Sequence, residues 1–240
     1  KVGIDKISKM ASRFGLGMDL GFDVPGERSG LIPSRAWKRA VIGQPWVLGE
    51  TLVAGIGQGF VLTTPLQLAT MTARMVNGGK PVLPHLGRDM VTRGELVKRE
   101  VEDSTPIGVN PRHLKLVMDA MTKVTQDPRG TAFAARIRLP GMSMAGKTGT
   151  AQVVSLSVSN GRTGPWKYRD HGLFVFFAPF DKPKYAGAVV IEHGGGSGAA
   201  YPIARDVMTF LFDPQKGMDA LRALEKEWGG TAQERLQRRY

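Results

Sequence analysis

The most constraining feature of the sequence is a pair of short apolar runs in its C-terminal third. The runs are Leu173–Ala178 and Ala186–Ile191, and a turn around Asp181-Lys182-Pro183 separates them. Continuous apolar runs of this length, bounded by turn residues, are typical of strands in the core of a sheet. Because so few residues join the two runs, we expect the strands to pair antiparallel.

Two strong helix starts lie upstream of these strands, at Thr64-Pro65-Leu66-Gln67 and at Asn110-Pro111. In each, a capping side chain precedes a proline at the first helical position, and Gln67 completes a capping box. Apolar residues at helical spacing follow both starts and predict a buried stripe on each helix. The predicted stripes are Leu68, Met71 and Met75 in the first helix, and Leu114, Val117, Met118, Met121 and Val124 in the second.

Helical spacing also marks both ends of the sequence. A first helix is expected from Ile4 and should end at Gly15 and Gly17; because the chain opens without Met, we expect it to begin partway through a longer protein. A last helix is expected after the glycine-rich link 194–198, with its apolar side made of Ile203, Val207, Phe210 and Leu211. Helices followed by an antiparallel sheet that a helix closes indicate an α+β fold.

The charge of the chain invites an anionic partner. Lys and Arg number 33 against 21 Asp and Glu, a formal net charge of +12. The basic residues are spread along the chain without interleaved aromatics, so the pattern favours no nucleic-acid partner, whereas a cell-wall polymer or acidic lipid fits. Cysteine is absent and the four histidines lack ligand spacing, so we predict no metal and no cofactor.

One motif suggests nucleotide chemistry. Gly141–Thr148 matches the G-x-x-x-x-G-K-[ST] pattern that cradles phosphates. That chemistry needs a helix directly after Lys-Thr, so that backbone amides face the phosphates. A glycine and β-branched residues follow instead, in Gly149–Val154, and these favour a strand. A P-loop nucleotide hydrolase therefore stays as an alternative that the structure can test.

The same residues have a second interpretation, as an edge strand that binds a peptide carboxylate. Lys147 supplies a cation, while Thr148 and Thr150 supply hydroxyls on one face of the strand. Gly149, without a side chain, allows a second backbone to come close and pair with the strand.

The flanking residues support this second interpretation. Ala145–Val153 resembles the third active-site motif of class B penicillin-binding proteins. Further segments resemble the family in the expected order, over roughly residues 1–213, and leave 214–240 as a polar C-terminal tail. These segments are Gly55-Ile56-Gly57-Gln58-Gly59, Thr64–Gln67, Gly130-Thr131-Ala132 and Phe177-Ala178-Pro179. Glu27–Lys38 resembles elongation-type members more than division-type ones.

The resemblance implies a C-terminal part of a penicillin-binding transpeptidase domain, with its N-terminal portion missing from this chain. The implied activity is peptidoglycan D,D-transpeptidation through an acyl-serine, which β-lactams trap. Lys147 and the backbone amide of Thr150 would be catalytic, and the carboxylate subsite would be Lys147, Thr148, Gly149 and Thr150. Implied partners are stem peptides ending in D-Ala-D-Ala, β-lactams and a polytopic glycan polymerase. The implied location is the periplasmic face of the inner membrane, with an upstream anchor.

The sequence departs from the family in one large respect: S-x-x-K and S-x-N are absent. Ser34–Lys38 and Ser143–Lys147 each have one residue too many, and Ser157-Val158-Ser159-Asn160 is a near miss. We therefore expect the nucleophile outside these residues and no activity from this chain alone. A β-lactam sensor or β-lactamase of the same fold, and a non-catalytic wall scaffold, remain alternatives. Residues 155–170 are expected to form a polar loop at the lip of the cleft.

Overall fold

The computed structural model describes residues 2–87, 106–155, 157–158 and 160–237, and the backbone alone at 89–92 and 95–98. The helices are α1 Ile4–Arg13, α2 Arg35–Ile42, α3 Leu48–Gly55, α4 Pro65–Val76, α5 Pro111–Gln126, α6 Tyr201–Phe212, α7 Pro214–Glu227 and α8 Ala232–Gln237. The strands are β1 Asp89–Thr92, β2 Glu95–Lys98, β3 Ala145–Ala151, β4 His171–Ala178 and β5 Tyr185–Ile191. No helix in the described ranges is long and apolar enough to cross a membrane.

The main sheet contains three strands in the order β3-β4-β5. Both pairings are antiparallel, with Val175 of β4 opposite Lys147 on one side and Ala188 on the other. The predicted pairing of the two apolar runs is therefore confirmed. The strands β1 and β2 form a separate antiparallel hairpin. Within the described residues, β3 lies at one edge of its sheet.

Helices cover both faces of this sheet and divide the core in two. On one face, Phe174 is fully buried among residues that include Ala204 and Met208 of α6. On the other face, Phe177 is fully buried with Met121 of α5. Because neighbouring side chains of a strand point to opposite faces, the alternation in β4 supplies both cores. This arrangement confirms the predicted α+β fold.

The capping box at the start of α4 is confirmed. Thr64 Oγ1 accepts from the Gln67 N–H at 3.1 Å, and Gln67 Oε1 accepts from the Thr64 N–H at 3.2 Å. Gln67 is completely buried, and its Nε2 also donates to the carbonyls of Met18 and Ser29. The buried Gln67 thus joins the helix start to the segment before α2.

Two short helices lie where the sequence shows no periodic run, in residues 18–60. Ser34 caps α2 by accepting from the Trp37 N–H at 3.0 Å. Lys38 of α2 is only 5% exposed, and its ammonium pairs with Glu50 of α3. That hydrogen bond, followed by one from the Val47 N–H, lowers the pKa of Glu50 below its ordinary value. Ser34 and Lys38, a near miss for a catalytic pair, therefore have structural roles.

One predicted apolar face is incomplete and another is wrong. In α4 the predicted Leu68, Met71 and Met75 are only half-buried, with Met75 packed against the core, and the fully buried side chains are the polar Gln67, Thr70, Thr72 and Arg74. Arg74 donates to the carbonyls of Arg13 and Val82, and burial lowers its pKa. The side of α6 predicted to be buried is exposed at all four of its residues, Ile203, Val207, Phe210 and Leu211. The residues of α6 that join the core beneath the sheet are instead Ala204 and Met208.

Helix α6 is not the last helix. Helix α7 follows it directly, and the buried Gly217 allows close packing, because a Cβ there would meet the backbone of Phe210. The Asp213 side chain accepts from the Lys216 N–H at 3.1 Å and caps α7. The division of the chain at residue 213 stays a prediction.

Candidate active site at the edge strand β3

The motif Lys147-Thr148-Gly149-Thr150 lies in the middle of β3. A strand, and not a helix, therefore follows Lys147 and Thr148, so no helix N-terminus faces the glycine loop before them. The P-loop hypothesis is wrong, because phosphate binding by that motif depends on the helix. The alternative prediction, an edge strand carrying the same residues, is confirmed.

The outer edge of β3 is defined by two hydrogen bonds from one side chain. Gln58 Nε2 donates to the Thr150 carbonyl at 2.7 Å, and Gln58 Oε1 accepts from the Gln152 N–H at 3.2 Å. In an antiparallel ladder, the N–H and C=O of one residue point the same way. The peptide groups of Thr150, and by alternation those of Thr148, therefore point away from β4. The predicted oxyanion donor, the Thr150 N–H, faces outward.

The ammonium group of Lys147 also lies at this edge of the strand. Lys147 is exposed, and its ammonium donates to the Thr148 carbonyl at 2.8 Å. Because that carbonyl points away from β4, the ammonium lies beside the outer edge of the strand. A cation at this position is available to a carboxylate that approaches the edge.

Thr148 and Thr150 project from the face opposite Lys147, as strand alternation requires. The Thr148 hydroxyl lies 3.0 Å from the hydroxyl of Thr131, in the loop after α5. Gly130 lets this loop fold back, because a Cβ there would collide with the carbonyls of Lys123 and Val124. From the sequence alone, Thr131 was noted only as part of a segment that resembles the family. The structure adds it to the site.

Gly149 has a packing role that the sequence did not predict. A Cβ at Gly149 would lie 3.3 Å from the Leu173 side chain, on the face of the sheet. That distance is tighter than most real contacts, so the glycine relieves crowding with β4 as well as leaving the edge open. The predicted close approach of a second backbone stays a prediction.

An open cleft of about 460 Å³ lies between β3 and the end of α5. Its charged lining residues are Lys123, Asp127, Arg129 and Lys147. Asp127 and Arg129 form an ion pair at 3.2 Å, and this contact lowers the pKa of Asp127 and raises that of Arg129. Three cations against one carboxylate make the cleft electropositive, which favours anionic ligands.

A second, apolar cleft of about 630 Å³ also has Lys147 in its lining. Its lining includes Met71, Met75, Val117, Met121 and Val124, which the sequence predicts as buried stripes. The prediction is correct for Met121, whereas Val117 is exposed. These side chains therefore form a concave apolar surface next to the K-T-G strand.

The C-terminal end of the loop 155–170 packs against the sheet. Asp170 is 8% exposed and accepts from the Val153 N–H at 3.1 Å, close to the end of β3. The Trp166 ring lies 4.3 Å from that of His193, yet Trp166 is 61% exposed. Ser159, part of the near-miss motif, lies outside the described residues. In the described ranges no cluster of three or more metal-ligating side chains occurs.

Helices on both faces of an antiparallel sheet, with Lys-Thr-Gly-Thr on an exposed edge, define the penicillin-interacting class of α+β domain that the motifs predict. The chain belongs to the family described as the penicillin binding protein transpeptidase domain, which matches residues 1–209. A curated relative, the peptidoglycan D,D-transpeptidase MrdA of Salmonella typhimurium, is 38% identical over 221 residues. The match covers 89% of this chain and 35% of that protein.

Solved structures agree with this assignment. Penicillin-binding protein 2 of Pseudomonas aeruginosa, in complex with WCK 5153, is 38% identical with a TM-score of 0.71, over 86% of this chain and 43% of that one. Penicillin-binding protein 2 of Helicobacter pylori, in complex with MreC, is 29% identical with a TM-score of 0.70, over 88% and 36%. The predicted resemblance to elongation-type members is therefore confirmed. The chain spans about a third of the length of the curated relative.

Proposed function

We propose that this chain is the K-T-G-bearing part of a peptidoglycan D,D-transpeptidase that cross-links stem peptides during cell-wall elongation. The observation that carries the proposal is the exposed edge of β3, where the Lys147 ammonium, the Thr148 hydroxyl and the outward Thr150 N–H lie within one stretch of four residues. Membership of the transpeptidase domain family supports it.

The proposed reaction has two steps. A serine outside these 240 residues attacks the penultimate D-Ala carbonyl, the peptide bond to the terminal D-Ala breaks, and that D-Ala leaves as an amine after gaining a proton. The amine of a neighbouring stem peptide then attacks the ester, forms the cross-link and returns the serine. In both steps the Thr150 N–H donates to the oxyanion.

The carboxylate of the stem peptide binds at Lys147, Thr148 and Thr150, and the peptide backbone adds to β3 as a further strand. The electropositive cleft beside Lys147 supports an anionic ligand at this position. β-Lactams occupy the same subsite and acylate the same serine. Other proposed features are a periplasmic location, an upstream membrane anchor and a polytopic glycan polymerase as partner; MreC, bound by a relative, is a further candidate.

Fluorescent-penicillin labelling of the full-length gene product tests the proposal. We expect a long-lived covalent adduct that forms at least about tenfold more slowly in Lys147→Ala, because a charge-assisted contact to the carboxylate is lost. Lys182→Ala, in the exposed turn between β4 and β5, is the matched control and should label normally.

Other results point to the alternatives. An adduct that hydrolyses rapidly, with turnover of penicillin, would favour a β-lactamase of the same fold. The absence of any adduct in folded, full-length protein would contradict transpeptidation and favour a non-catalytic wall scaffold.

A further inference from the structure

A basic cavity of about 430 Å³ opens between residues 134–139, α6 and the first turns of α7. It shares no lining residue with the two clefts at Lys147. Its charged lining residues are Arg136, Arg138, Arg205, Lys216 and the single acid Asp206. A cavity of this volume is in the range of sites that bind small molecules.

Arg136 and Arg138 project to the same side of an extended segment. Ala135 and Ile137, which alternate with them, are buried in the core on the α6 face of the sheet. Because alternate side chains of an extended chain point to opposite sides, the two arginines are directed away from that core. The Arg136 guanidinium lies 3.8 Å from the centre of the Phe133 ring. This stacking fixes the plane of the guanidinium and leaves its N–H edge for a ligand.

The two helices contribute the other two cations, and both of these are already paired. Arg205 of α6 donates through Nε to Asp206 at 2.7 Å and through Nη1 to the Ala134 carbonyl at 3.4 Å. The ammonium of Lys216 in α7 lies 3.4 Å from the Asp213 carboxylate. These contacts hold the two cations at the wall of the cavity.

The guanidinium groups of Arg136 and Arg138 remain available to a ligand. In the part of the chain that the structure describes, no carboxylate forms an ion pair with either of them, and Arg138 is exposed. Four cations against the two carboxylates described above give the cavity and its rim a formal charge of +2. Guanidinium groups present their N–H donors in a planar fork that matches phosphate oxygens.

We propose that this cavity binds a phosphate monoester through the forks of Arg136 and Arg138, with Arg205 and Lys216 adding positive charge at the wall. A phosphate monoester has three acceptor oxygens outside its ester bond and about two negative charges at pH 7. It therefore matches both the number of donors and the charge of the cavity better than a carboxylate does. A soluble sugar phosphate and a lipid with a phosphomonoester headgroup share this chemistry. The inference goes beyond the proposed function and involves neither the nucleophile nor Lys147.

Equilibrium dialysis of the detergent-solubilised full-length gene product with radiolabelled glycerol 3-phosphate tests the proposal. We expect saturable binding whose dissociation constant rises about tenfold in Arg138→Gln, because a charge-assisted contact is lost. Arg138→Lys keeps the charge without the fork, so its affinity should lie between those of Arg138→Gln and the wild type. Arg112→Gln is the matched control, since it removes an exposed charge at the start of α5, on the other face of the sheet.

The control should bind glycerol 3-phosphate as the wild type does, and so should Lys147→Ala. Unchanged affinity in Arg138→Gln, with the urea midpoint of the wild type, would overturn the proposal. An equal loss in Arg112→Gln would also overturn it, because binding would then follow net charge alone. Loss of binding in Lys147→Ala would place the ligand in the active-site cleft and contradict the proposal.

Competition experiments identify the source of the phosphate group. Displacement of glycerol 3-phosphate by phosphatidic acid in micelles, at lower concentrations than by inorganic phosphate, would support a lipid ligand. The reverse order would support a soluble one. The diester glycerophosphoglycerol, which carries less charge and one acceptor oxygen fewer, should compete at least about tenfold more weakly. Equal competition by the diester would overturn the assignment to a monoester.

Discussion

The hydroxyl of Thr131 lies 3.0 Å from the hydroxyl of Thr148 and joins the loop after α5 to the edge strand. One of the two donates to the other, so each restricts the rotation of its partner. Thr148 is therefore held in one orientation before any ligand arrives, and a pre-oriented hydroxyl loses less rotational freedom on binding.

Replacing Thr131 by Val, which has a similar shape, removes this hydrogen bond. We expect the acylation rate of the full-length protein to fall about three- to tenfold, because Thr148 loses its fixed orientation, at a stability cost of roughly 1 kcal/mol. Penicillin labelling and urea unfolding measure the two effects. Thr131→Ser keeps the hydroxyl and should retain the wild-type rate. Equal rates for all three proteins would show that the contact has no part in ligand binding.

The ion pair of Lys38 and Glu50 makes stability depend on pH. Because the pKa of Glu50 is lowered in the folded state, its carboxylate stabilises the fold above its ordinary value of 4.5. This contribution is lost as the pH falls through the lowered pKa of the folded state. We expect Glu50→Gln to lower the free energy of unfolding at pH 7, and the difference from the wild type to shrink below about pH 4.5.

Urea unfolding at several pH values measures this difference. Asp119→Asn provides the control, since its pair with Lys115 is exposed and should contribute little at any pH. A difference between Glu50→Gln and the wild type that stays constant down to pH 3 would contradict the prediction.

Gly146 is required by packing and not by its backbone conformation. A Cβ at Gly146 would collide with the Phe174 ring and the Val175 carbonyl in β4. We expect Gly146→Ala to destabilise the protein by roughly 1–3 kcal/mol through overpacking. Gly49→Ala, in α3 with open space around it, should instead stabilise by about 0.5–1 kcal/mol. Urea unfolding compares the two, and equal midpoints would refute the packing argument.

Much of the fold follows from local signals. The strands β4 and β5 were predictable because two short apolar runs separated by a turn typically form paired core strands. Helix α4 was predictable because Thr64, Pro65 and Gln67 all mark a helix start. The helices α2 and α3 were not predictable, because each has only eight residues and the side chain that joins them is the buried Lys38. In α6 the buried Ala204 lies next to the exposed Ile203, so the spacing of large apolar residues did not identify the side that faces the sheet.

Some residues of the candidate site were likewise predictable from the sequence and others were not. The residues Lys147–Thr150 are contiguous, so the motif alone identifies them. Gln58 and Thr131 reach the strand from distant parts of the chain, and no spacing rule predicts such contacts. Both belong to glycine-containing segments that resemble the family. The signal was present, but without geometry it assigned no role to either side chain.

The open edge of β3 also bears on the solubility of the protein. An unpaired strand edge invites the same edge of a second molecule, which is a common route to aggregation. Two copies paired antiparallel in a register centred on Lys147 would place the two ammonium groups opposite each other, and their repulsion opposes that pairing. The Gln58 amide shortens the free edge further. Exchange of Lys147 for an apolar residue would therefore favour self-association of the folded molecule.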